Sequence, residues 1–346
     1  MTVLFRADAS PSLGLGHLSR CLALAQAFES LGDTSIFLTL GHLKQGGRWL
    51  LKQGQSVIEL PQYKNLDTEA YEVSNLAKAL NASLVVLDTY ELTNHPSKQL
   101  EKYVRRLDSC GLLTAAIDDE GAYPASIIIN PRMDLRPNPK KTHGLTELLG
   151  GKYALLRREF SQAEHICDVR RDVANVLVTM GGSDPHSFTP VAVAGLAGLG
   201  LRIHVAYGAL MGNAAAIKAA AGDSLYIHKE PEMATLMAGC DIAISAAGCT
   251  AMELFAIGLP SLFIVQADNQ RPLGLFLARH GLLLGECATL LPHHIKAAAT
   301  KLAADYNQRL SIHKFMLTQV DRNGAANTAQ ALKEAVLKAR ACPTSV

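Results

Sequence analysis

The chain has few aromatic and few charged residues. Of its 346 residues, 5% are aromatic and 18% charged, the formal net charge is +2, and no block of lysines and arginines occurs. Nucleic acids and anionic membranes select basic surfaces, and single strands also select aromatic stacking platforms. We therefore expect no nucleic-acid partner and no membrane partner.

Long hydrophobic runs and paired cysteines are also missing. No run approaches the ~20 apolar residues of a membrane helix, and Arg6 and Asp8 interrupt the N-terminus before the apolar region of a signal peptide could form. The seven cysteines are scattered, odd in number and without a Cys-x-x-Cys pair. This usage predicts reduced thiols and a cytoplasmic protein.

Several common catalytic and nucleotide motifs are absent. No Gly-Lys-Ser/Thr follows Gly181-Gly182-Ser183, so this turn is not a Walker loop, and it lacks the GxGxxG dinucleotide fingerprint. There is no GxSxG nucleophile elbow. The acidic cluster Asp118-Asp119-Glu120 has no histidine pair at i, i+4 beside it. We expect no metal ion and no other cofactor.

What is present is a regular alternation of apolar strand-like runs and helical patterns. Nearly half of the residues, 49%, are apolar, and at about 150 residues per domain the length suggests two domains. The alternation predicts an α/β protein with two facing Rossmann-like parallel sheets. We place the domains at residues 1–160 and 172–335, leave open where the helical tail packs, and expect a surface loop over residues 132–150.

The sequence FRADASPSLGLGHLSR forms a strand, a glycine turn and the start of a helix. Such a unit brings a ligand to exposed backbone N–H groups. Gly14 and Gly16 remove side chains that would hold a ligand away. His17 precedes the first helical turn, where an imidazole can act as a base, or can simply cap or pack. Arg6 and Asp8 flank the strand end, where ligand-binding groups collect.

Two glycine turns in the second half are candidate phosphate sites. Gly181-Gly182-Ser183 can offer amides and a hydroxyl to a phosphate, or can be a turn without a ligand. Gly248-Cys249-Thr250 opens a helix, and the small residues before it let a diphosphate approach the first-turn amides. Glu253, one turn in, can bind ribose hydroxyls or serve as the capping partner of Thr250.

Together these motifs resemble the glycosyltransferase B fold. The stretch DIAISAAGCTAMELFAIGLPSLFIVQADNQ is similar to the UDP-binding signature of the peptidoglycan N-acetylglucosaminyltransferases. The opening FRADASPSLGLGHLSRCLALA resembles the UDP-2,4-diacetamido-2,4,6-trideoxy-β-L-altropyranose hydrolase family of pseudaminic acid biosynthesis. That resemblance extends from about residue 3 to 335, through Asp88-Thr89-Tyr90, Asp118-Asp119, Asn130-Pro131, the run from Tyr153 to Phe160, and Met180-Gly181-Gly182-Ser183-Asp184.

The resemblance implies hydrolysis of the anomeric C–O bond of a UDP-sugar, without metal. His17 would be the general base, and Tyr90 would help to hold the sugar or the water. The candidate UDP-binding residues, with Ile227 presenting backbone groups to uracil, are Gly181, Gly182, Ile227, Gly248, Cys249, Thr250 and Glu253. The candidate sugar-binding residues are Gly14, Gly16, Arg157, Asn269 and Gln270.

Two other functions remain open on the sequence. One is a UDP-sugar-dependent glycosyltransferase of the same fold acting in surface polysaccharide synthesis, and the other is a nucleotide-sugar-binding protein without catalysis. Arg136, Lys140 and Lys141 are basic but have few apolar neighbours, which favours a soluble substrate over a lipid-linked acceptor. The oligomeric state stays open, and a monomer is compatible with the sequence.

Overall fold

The computed structural model describes residues 1–9, 14–41, 44–119, 121–135, 146–221 and 224–341. These residues form two compact units. The first unit comprises the described residues of Met1–Ser10, His17–Arg157 and Asn323–Val346, and the second comprises those of Pro11–Gly16 and Arg158–Arg322.

Each unit contains one parallel sheet. The strands of the first are β1 Thr2–Ala7, β2 Thr34–Leu40, β3 Ser56–Leu60, β4 Ala82–Asp88, β5 Leu113–Ile117, β6 Ile127–Asn130 and β7 Thr146–Leu149. The strands of the second are β8 Asn175–Thr179, β9 Arg202–Tyr207, β10 Leu225–Lys229, β11 Ile242–Ala246, β12 Ser261–Val265 and β13 Leu283–Glu286.

Helices separate most successive strands, as parallel pairing requires. The helices are α1 Gly16–Ser30, α2 Lys44–Lys52, α3 Leu66–Ala79, α4 Tyr90–Thr93, α5 Ser97–Ser109, α6 Arg158–Ser161, α7 Thr189–Leu196, α8 Ala214–Ala221, α9 Met233–Ala238, α10 Cys249–Ile257, α11 Arg271–Arg279, α12 Pro292–Ala304, α13 Tyr306–Gln319 and α14 Gly324–Ala341.

The two sheets repeat one strand order. The first is β3-β2-β1-β4-β5-β6-β7 and the second is β10-β9-β8-β11-β12-β13, with every neighbouring pair parallel. This is the doubly wound order of dinucleotide-binding folds. The central strands are continuous apolar runs because both faces are buried; every residue of β11 and β12 is buried. The predicted fold class is therefore confirmed.

The sequence misses the two short edge strands β7 and β13. The expected loop over residues 132–150 is wrong for Thr146–Leu149, which pairs with β6; residues 136–145 lie outside the described part. Each of these strands has four residues, of which at most one is buried, and one neighbouring strand. Such strands lack the continuous apolar run by which buried parallel strands are recognised.

The ends of the two units depend on contacts that are distant in sequence. The helix α14 belongs to the first unit, where Lys333 pairs with Asp33 at 2.8 Å and Asn327 donates to the carbonyl of Lys152 at 3.0 Å. The structure thus divides the chain after Arg157 and Arg322, whereas the sequence pattern placed the second domain at residues 172–335. The pattern contains no sign of these long-range pairs.

The first turn of α14 offers a test of how tightly this helix packs. A Cβ atom at Gly324 would lie 2.4 Å from the backbone N and O atoms of Ala154. Backbone cannot yield as a side chain does, so we expect Gly324→Ala to lower the free energy of unfolding by about 1–3 kcal/mol. Chemical and thermal unfolding measure this loss.

The matched control is Gly239→Ala at the C-terminal end of α9. There the nearest atoms would lie 3.5 Å or more from the new Cβ, and the φ angle of −79° suits alanine. We expect this variant to be as stable as the wild type or slightly more stable. Equal stability of Gly324→Ala and wild type would contradict the close packing of α14.

Candidate functional site

The first sheet has its topological switch point between β1 and β4. The chain leaves β1 toward one side of the sheet and β4 toward the other, which opens a crevice at their carboxyl ends. His17 lies in the first turn of α1, after β1, and Tyr90 begins α4, after β4. Their rings meet edge to face, with centroids 4.7 Å apart. The structure thus brings together the two predicted catalytic residues.

A buried carboxylate holds the imidazole of His17. Nδ1 of His17 lies 2.6 Å from Oδ1 of Asp88, and the guanidinium of Arg20 donates from Nε to Oδ2 and from Nη2 to Oδ1, both at 2.6 Å. Burial by itself raises the pKa of Asp88, but the positive charge of Arg20 and its contact with His17 lower that pKa to about 2. Asp88 is therefore ionised at neutral pH.

The ionised carboxylate determines the tautomer of His17. An ionised carboxylate only accepts hydrogen bonds, so Nδ1 carries the proton of the neutral ring and Nε2 keeps its lone pair. A histidine held in this way can accept a proton at Nε2, as catalytic histidines oriented by a buried aspartate do. In the sequence, Asp88 stands out only as part of the motif Asp88-Thr89-Tyr90, and this role was not predicted. A usable signal was the i, i+3 spacing of His17 and Arg20 on one helix face.

A small, half-open cavity lies beside His17, within the first unit; its space, open solvent included, is about 290 Å³. Arg20 also donates from Nη1 to Asp119 at 2.5 Å, and Asp119 lies on the cavity wall. The described residues that line the cavity are His17, Thr89, Tyr90, Thr93, Ile117, Asp118, Asp119, Ala122 and Tyr123.

Arg6 and Asp8, expected at the ligand edge, are instead buried beneath it. Their exposed fractions are 0% and 1%. Arg6 pairs with Asp8 and, at 2.7 Å, with Glu69, and Asp8 accepts the hydroxyl of Thr89 at 2.9 Å. A buried guanidinium requires carboxylate partners, and Asp8 and Glu69 supply them. The effect of the pair at the site is to hold Thr89, the residue before Tyr90.

The predicted phosphate residues collect at the matching switch point of the second sheet. Gly181 and Gly182 follow β8, and Gly248 is the N-cap of α10 after β11. The strands β8 and β11 are paired, up to Thr179 with Ser245, so both turns lie at the same edge. Cys249 and Thr250 form the first turn of α10, and Glu253, in its second turn, is 8% exposed.

Gln270 extends this edge with a fixed amide. Its Oε1 accepts the backbone N–H of Gln266 at 2.9 Å, and its Nε2 lies 3.5 Å from the position that a Cβ at Gly248 would take. The side-chain amide hydrogens are therefore beside the first turn of α10. Asn269 is exposed in the same short 3₁₀ helix, Asp268–Gln270.

Of the other predicted residues, Ile227 and Arg157 lie apart from these two groups, whereas Gly14 and Gly16 lie against the second. A Cβ at Gly14 would be 3.3 Å from Oγ of Ser183, and Sγ of Cys249 lies 3.8 Å from the carbonyl oxygen of Gly16. Ile227 is in the edge strand β10, two strands from β8 and level with Val178. Arg157 is half-buried and is not among the described residues that line the cavity. Gly14 has a φ of +76°, a conformation that favours glycine, and both Gly14 and Gly16 group with the second unit.

Asp184 organises the second edge, and the sequence analysis gave it no role. Its buried carboxylate accepts the backbone N–H of Phe188 at 2.8 Å and of Thr189 at 2.9 Å. It also accepts the side-chain amides of Asn213 at 2.9 Å and Gln266 at 3.3 Å. One carboxylate thus joins the loops that follow β8, β9 and β12. No local pattern marks it, because α7 begins five residues later, at Thr189, with Phe188 as its N-cap.

Among the described residues, no group of three or more His, Cys, Asp or Glu side chains is arranged to hold a metal ion. In the same part of the chain no helix is both long and apolar enough to cross a bilayer.

The architecture defines a class, the glycosyltransferase B fold. MurG of Acinetobacter baumannii is similar over 96% of this chain and 99% of its own, with a TM-score of 0.64 and 16% identity. The spinosyn forosaminyltransferase SpnP is similar over 97% and 99% of the two chains, with a TM-score of 0.63 and 14% identity. At these identities the likeness establishes the fold.

Two sequence relatives add detail. The spore coat polysaccharide biosynthesis protein SpsG of Bacillus subtilis is 24% identical over 343 residues, which are 95% of this chain and 96% of its own. The UDP-2,4-diacetamido-2,4,6-trideoxy-β-L-altropyranose hydrolase of Campylobacter jejuni is 26% identical over 192 residues, which are 53% of this chain and 61% of its own. No family model matches the chain.

The ionisation of Asp88 predicts a loss of stability in acid. The pKa of Asp88 is lowered in the folded state from 3.8 to about 2. Its ionised form therefore stabilises the fold above pH 4, and this contribution disappears as the pH falls through about 2. We expect Asp88→Asn to cost about 2 kcal/mol at pH 7, and expect the difference from wild type to shrink toward pH 2.

Unfolding by urea at pH 7, 4 and 2.5, followed through a spectroscopic signal of the first unit, measures this difference in stability. The control is Glu101→Gln, which removes an exposed i, i+4 pair with Arg105 and should change stability by less than about 0.5 kcal/mol at each pH. A cost of Asp88→Asn that stays constant over this range would contradict the ion pair.

Proposed function

We propose that the protein hydrolyses UDP-2,4-diacetamido-2,4,6-trideoxy-β-L-altropyranose to UDP and 2,4-diacetamido-2,4,6-trideoxy-L-altrose. Water attacks the anomeric carbon, the bond from that carbon to the diphosphate oxygen breaks, and UDP leaves. The observation that carries the proposal is the His17–Asp88 pair at 2.6 Å beside a cavity. The similarity to the Campylobacter jejuni hydrolase supports this substrate.

His17 acts as the general base in this proposal. Nε2 takes a proton from the attacking water while the carboxylate of Asp88 balances the imidazolium that forms. Tyr90, in edge-to-face contact with the ring at 4.7 Å, limits its rotation and helps to hold the sugar or the water. General-base catalysis of this kind contributes roughly 10²–10⁴-fold to the rate.

The second unit supplies the UDP site. The amides of Gly248, Cys249 and Thr250 and the turn Gly181-Gly182 hold the diphosphate, where the N-terminus of α10 stabilises the negative charge that leaves. The amide of Gln270 lies beside this turn and adds a donor. Glu253 binds the ribose, and Ile227 offers backbone groups of an edge strand to uracil.

The sugar is bound by fewer assigned groups. The proposed contacts are Gly14, Gly16, Arg157, Asn269 and Gln270. The two glycines allow close approach to the backbone, and the side chains of the other three residues carry hydrogen-bond donors.

A glycosyltransferase remains the second candidate. The match to SpsG covers 95% of the chain against 53% for the hydrolase, and the solved neighbours include glycosyltransferases. In that case the same histidine would deprotonate an acceptor hydroxyl instead of water. The basic residues weighed as an acceptor surface, Arg136, Lys140 and Lys141, lie outside the described residues.

Incubation with the purified UDP-sugar and no acceptor tests the proposal. We expect stoichiometric release of UDP and of the free sugar, because water is the nucleophile. In ¹⁸O-labelled water the label should appear in the sugar, as cleavage of the C–O bond requires. No release without an acceptor, or label in the phosphate, would overturn the hydrolase.

Two histidine variants belong to the same experiment. His17→Ala should lower turnover by about 10²–10⁴-fold and leave the affinity for UDP unchanged. His95→Ala, an exposed histidine of the same unit outside the cavity lining, should behave as wild type. Turnover that survives in His17→Ala would exclude this residue as the base.

Gly208 provides a separate test of the UDP site. A Cβ atom at this position would lie 2.5 Å from the carbonyl oxygen of Gly182. We expect Gly208→Ala to displace that turn and to weaken UDP binding roughly tenfold, the equivalent of about 1.4 kcal/mol of strain. Titration calorimetry with UDP measures the affinity.

The control is Gly212→Ala, where a Cβ would have no heavy atom within 4 Å. This variant should bind UDP as the wild type does. If Gly208→Ala remains folded and its UDP affinity is unchanged, the turn Gly181-Gly182 does not hold the diphosphate.

A further inference from the structure

The cavity of the first unit has an acidic wall. The described residues that line it include two carboxylates, Asp118 and Asp119, and no lysine or arginine. A carboxylate accepts hydrogen bonds and repels anions. The chemistry of this wall therefore suits a neutral group that carries O–H or N–H donors and does not suit a phosphate.

The two carboxylates differ in what they can offer. Asp118 is 4% exposed, and its oxygens accept the backbone N–H groups of Gly121 at 2.7 Å and Tyr123 at 2.8 Å. The side chain of Asp119 is 34% exposed and accepts Nη1 of Arg20 through Oδ2. Asp118 thus shapes the loop, while Asp119 presents part of its carboxylate to the cavity.

Arg20 links Asp119 to the base. The same planar guanidinium donates from Nε and Nη2 to Asp88 and from Nη1 to Asp119. Because the guanidinium is rigid and both pairs are charge-assisted, the position of Asp119 is tied to that of Asp88 and hence of His17. A group bound by Asp119 would be held in register with Nε2 of His17.

We propose that Asp119 is a substrate-binding residue whose carboxylate accepts a hydrogen bond from a hydroxyl or amide N–H of the sugar. The inference rests on the proposed function, which supplies a sugar for this cavity. It adds a residue outside the predicted sugar contacts and a reason for its position.

The test compares the affinities for UDP and for the UDP-sugar. Titration calorimetry uses UDP and UDP-2,4-diacetamido-2,4,6-trideoxy-β-L-altropyranose, with His17→Ala as the background so that the substrate is not consumed. The dissociation constant for UDP divided by that for the UDP-sugar measures how much affinity the sugar adds. We expect Asp119→Asn to lower this ratio about tenfold and Asp119→Ala by up to about a hundredfold, with UDP affinity unchanged.

The matched control is Asp134→Asn. Asp134 pairs with Arg132 at 2.8 Å, is similarly half-buried and does not line the cavity, so the ratio should not change. A second readout excludes an indirect effect. In proteins that retain His17, the ¹⁵N shifts of its ring should be the same in the wild type and in the Asp119→Asn variant, because that substitution preserves an oxygen acceptor for Arg20.

Three outcomes would overturn the inference. They are an unchanged ratio in Asp119→Ala, a sugar that adds nothing to UDP affinity when Asp119 is intact, and altered ¹⁵N shifts of the His17 ring in Asp119→Asn. The proposed function fails separately. Release of UDP by the wild type with an unchanged ratio in the Asp119 variants defeats the inference alone. A lowered ratio in those variants without any UDP release by the wild type defeats the hydrolase alone.

Discussion

The first unit's site depends on the ion pair between Arg20 and Asp88. A carboxylate that is 1% exposed would ordinarily be driven toward its neutral form. Two charge-assisted bonds from Arg20 keep it ionised, and only an ionised carboxylate fixes the proton of His17 on Nδ1. Replacing the arginine with a neutral side chain would leave a buried acid that donates as well as accepts, and the proton of the His17 imidazole would no longer be fixed on Nδ1.

The two units use one strand order for different chemistry. In each, a ligand-facing edge forms where neighbouring strands send their chains to opposite sides. The first edge carries an imidazole and carboxylates, groups that can accept and donate protons. The second carries glycines, a helix N-terminus and the amide of Gln270, which are suited to anions. The strand order thus sets where these groups collect, and the side chains determine which ligand chemistry each edge suits.

Periodicity and glycine position were sufficient to predict the sheets, because buried parallel strands are continuous apolar runs. They also placed His17 after the first strand and Tyr90 at the end of a later one, whereas the family resemblance implied that the two are close. The contacts of His17 and Arg20 with Asp88 could not be predicted without the strand order. The pairing of β1 with β4 brings His17 next to Asp88, which is 71 residues away in the sequence. Each short edge strand has only two apolar residues, too few for a recognisable run, and the packing of α14 depends on single side chains such as Lys333.

The position of α14 also affects the order in which the two units can fold during synthesis. The first unit contains the start of the chain, yet Lys333 pairs with Asp33, and Arg340 donates to Ser83 at 2.5 Å. A ribosome makes residues 158–322 before these partners exist, and domains generally fold as units during synthesis. The second unit can therefore fold before α14 of the first unit has been synthesised. Until then, nascent chains would expose the surface of the first unit that α14 covers.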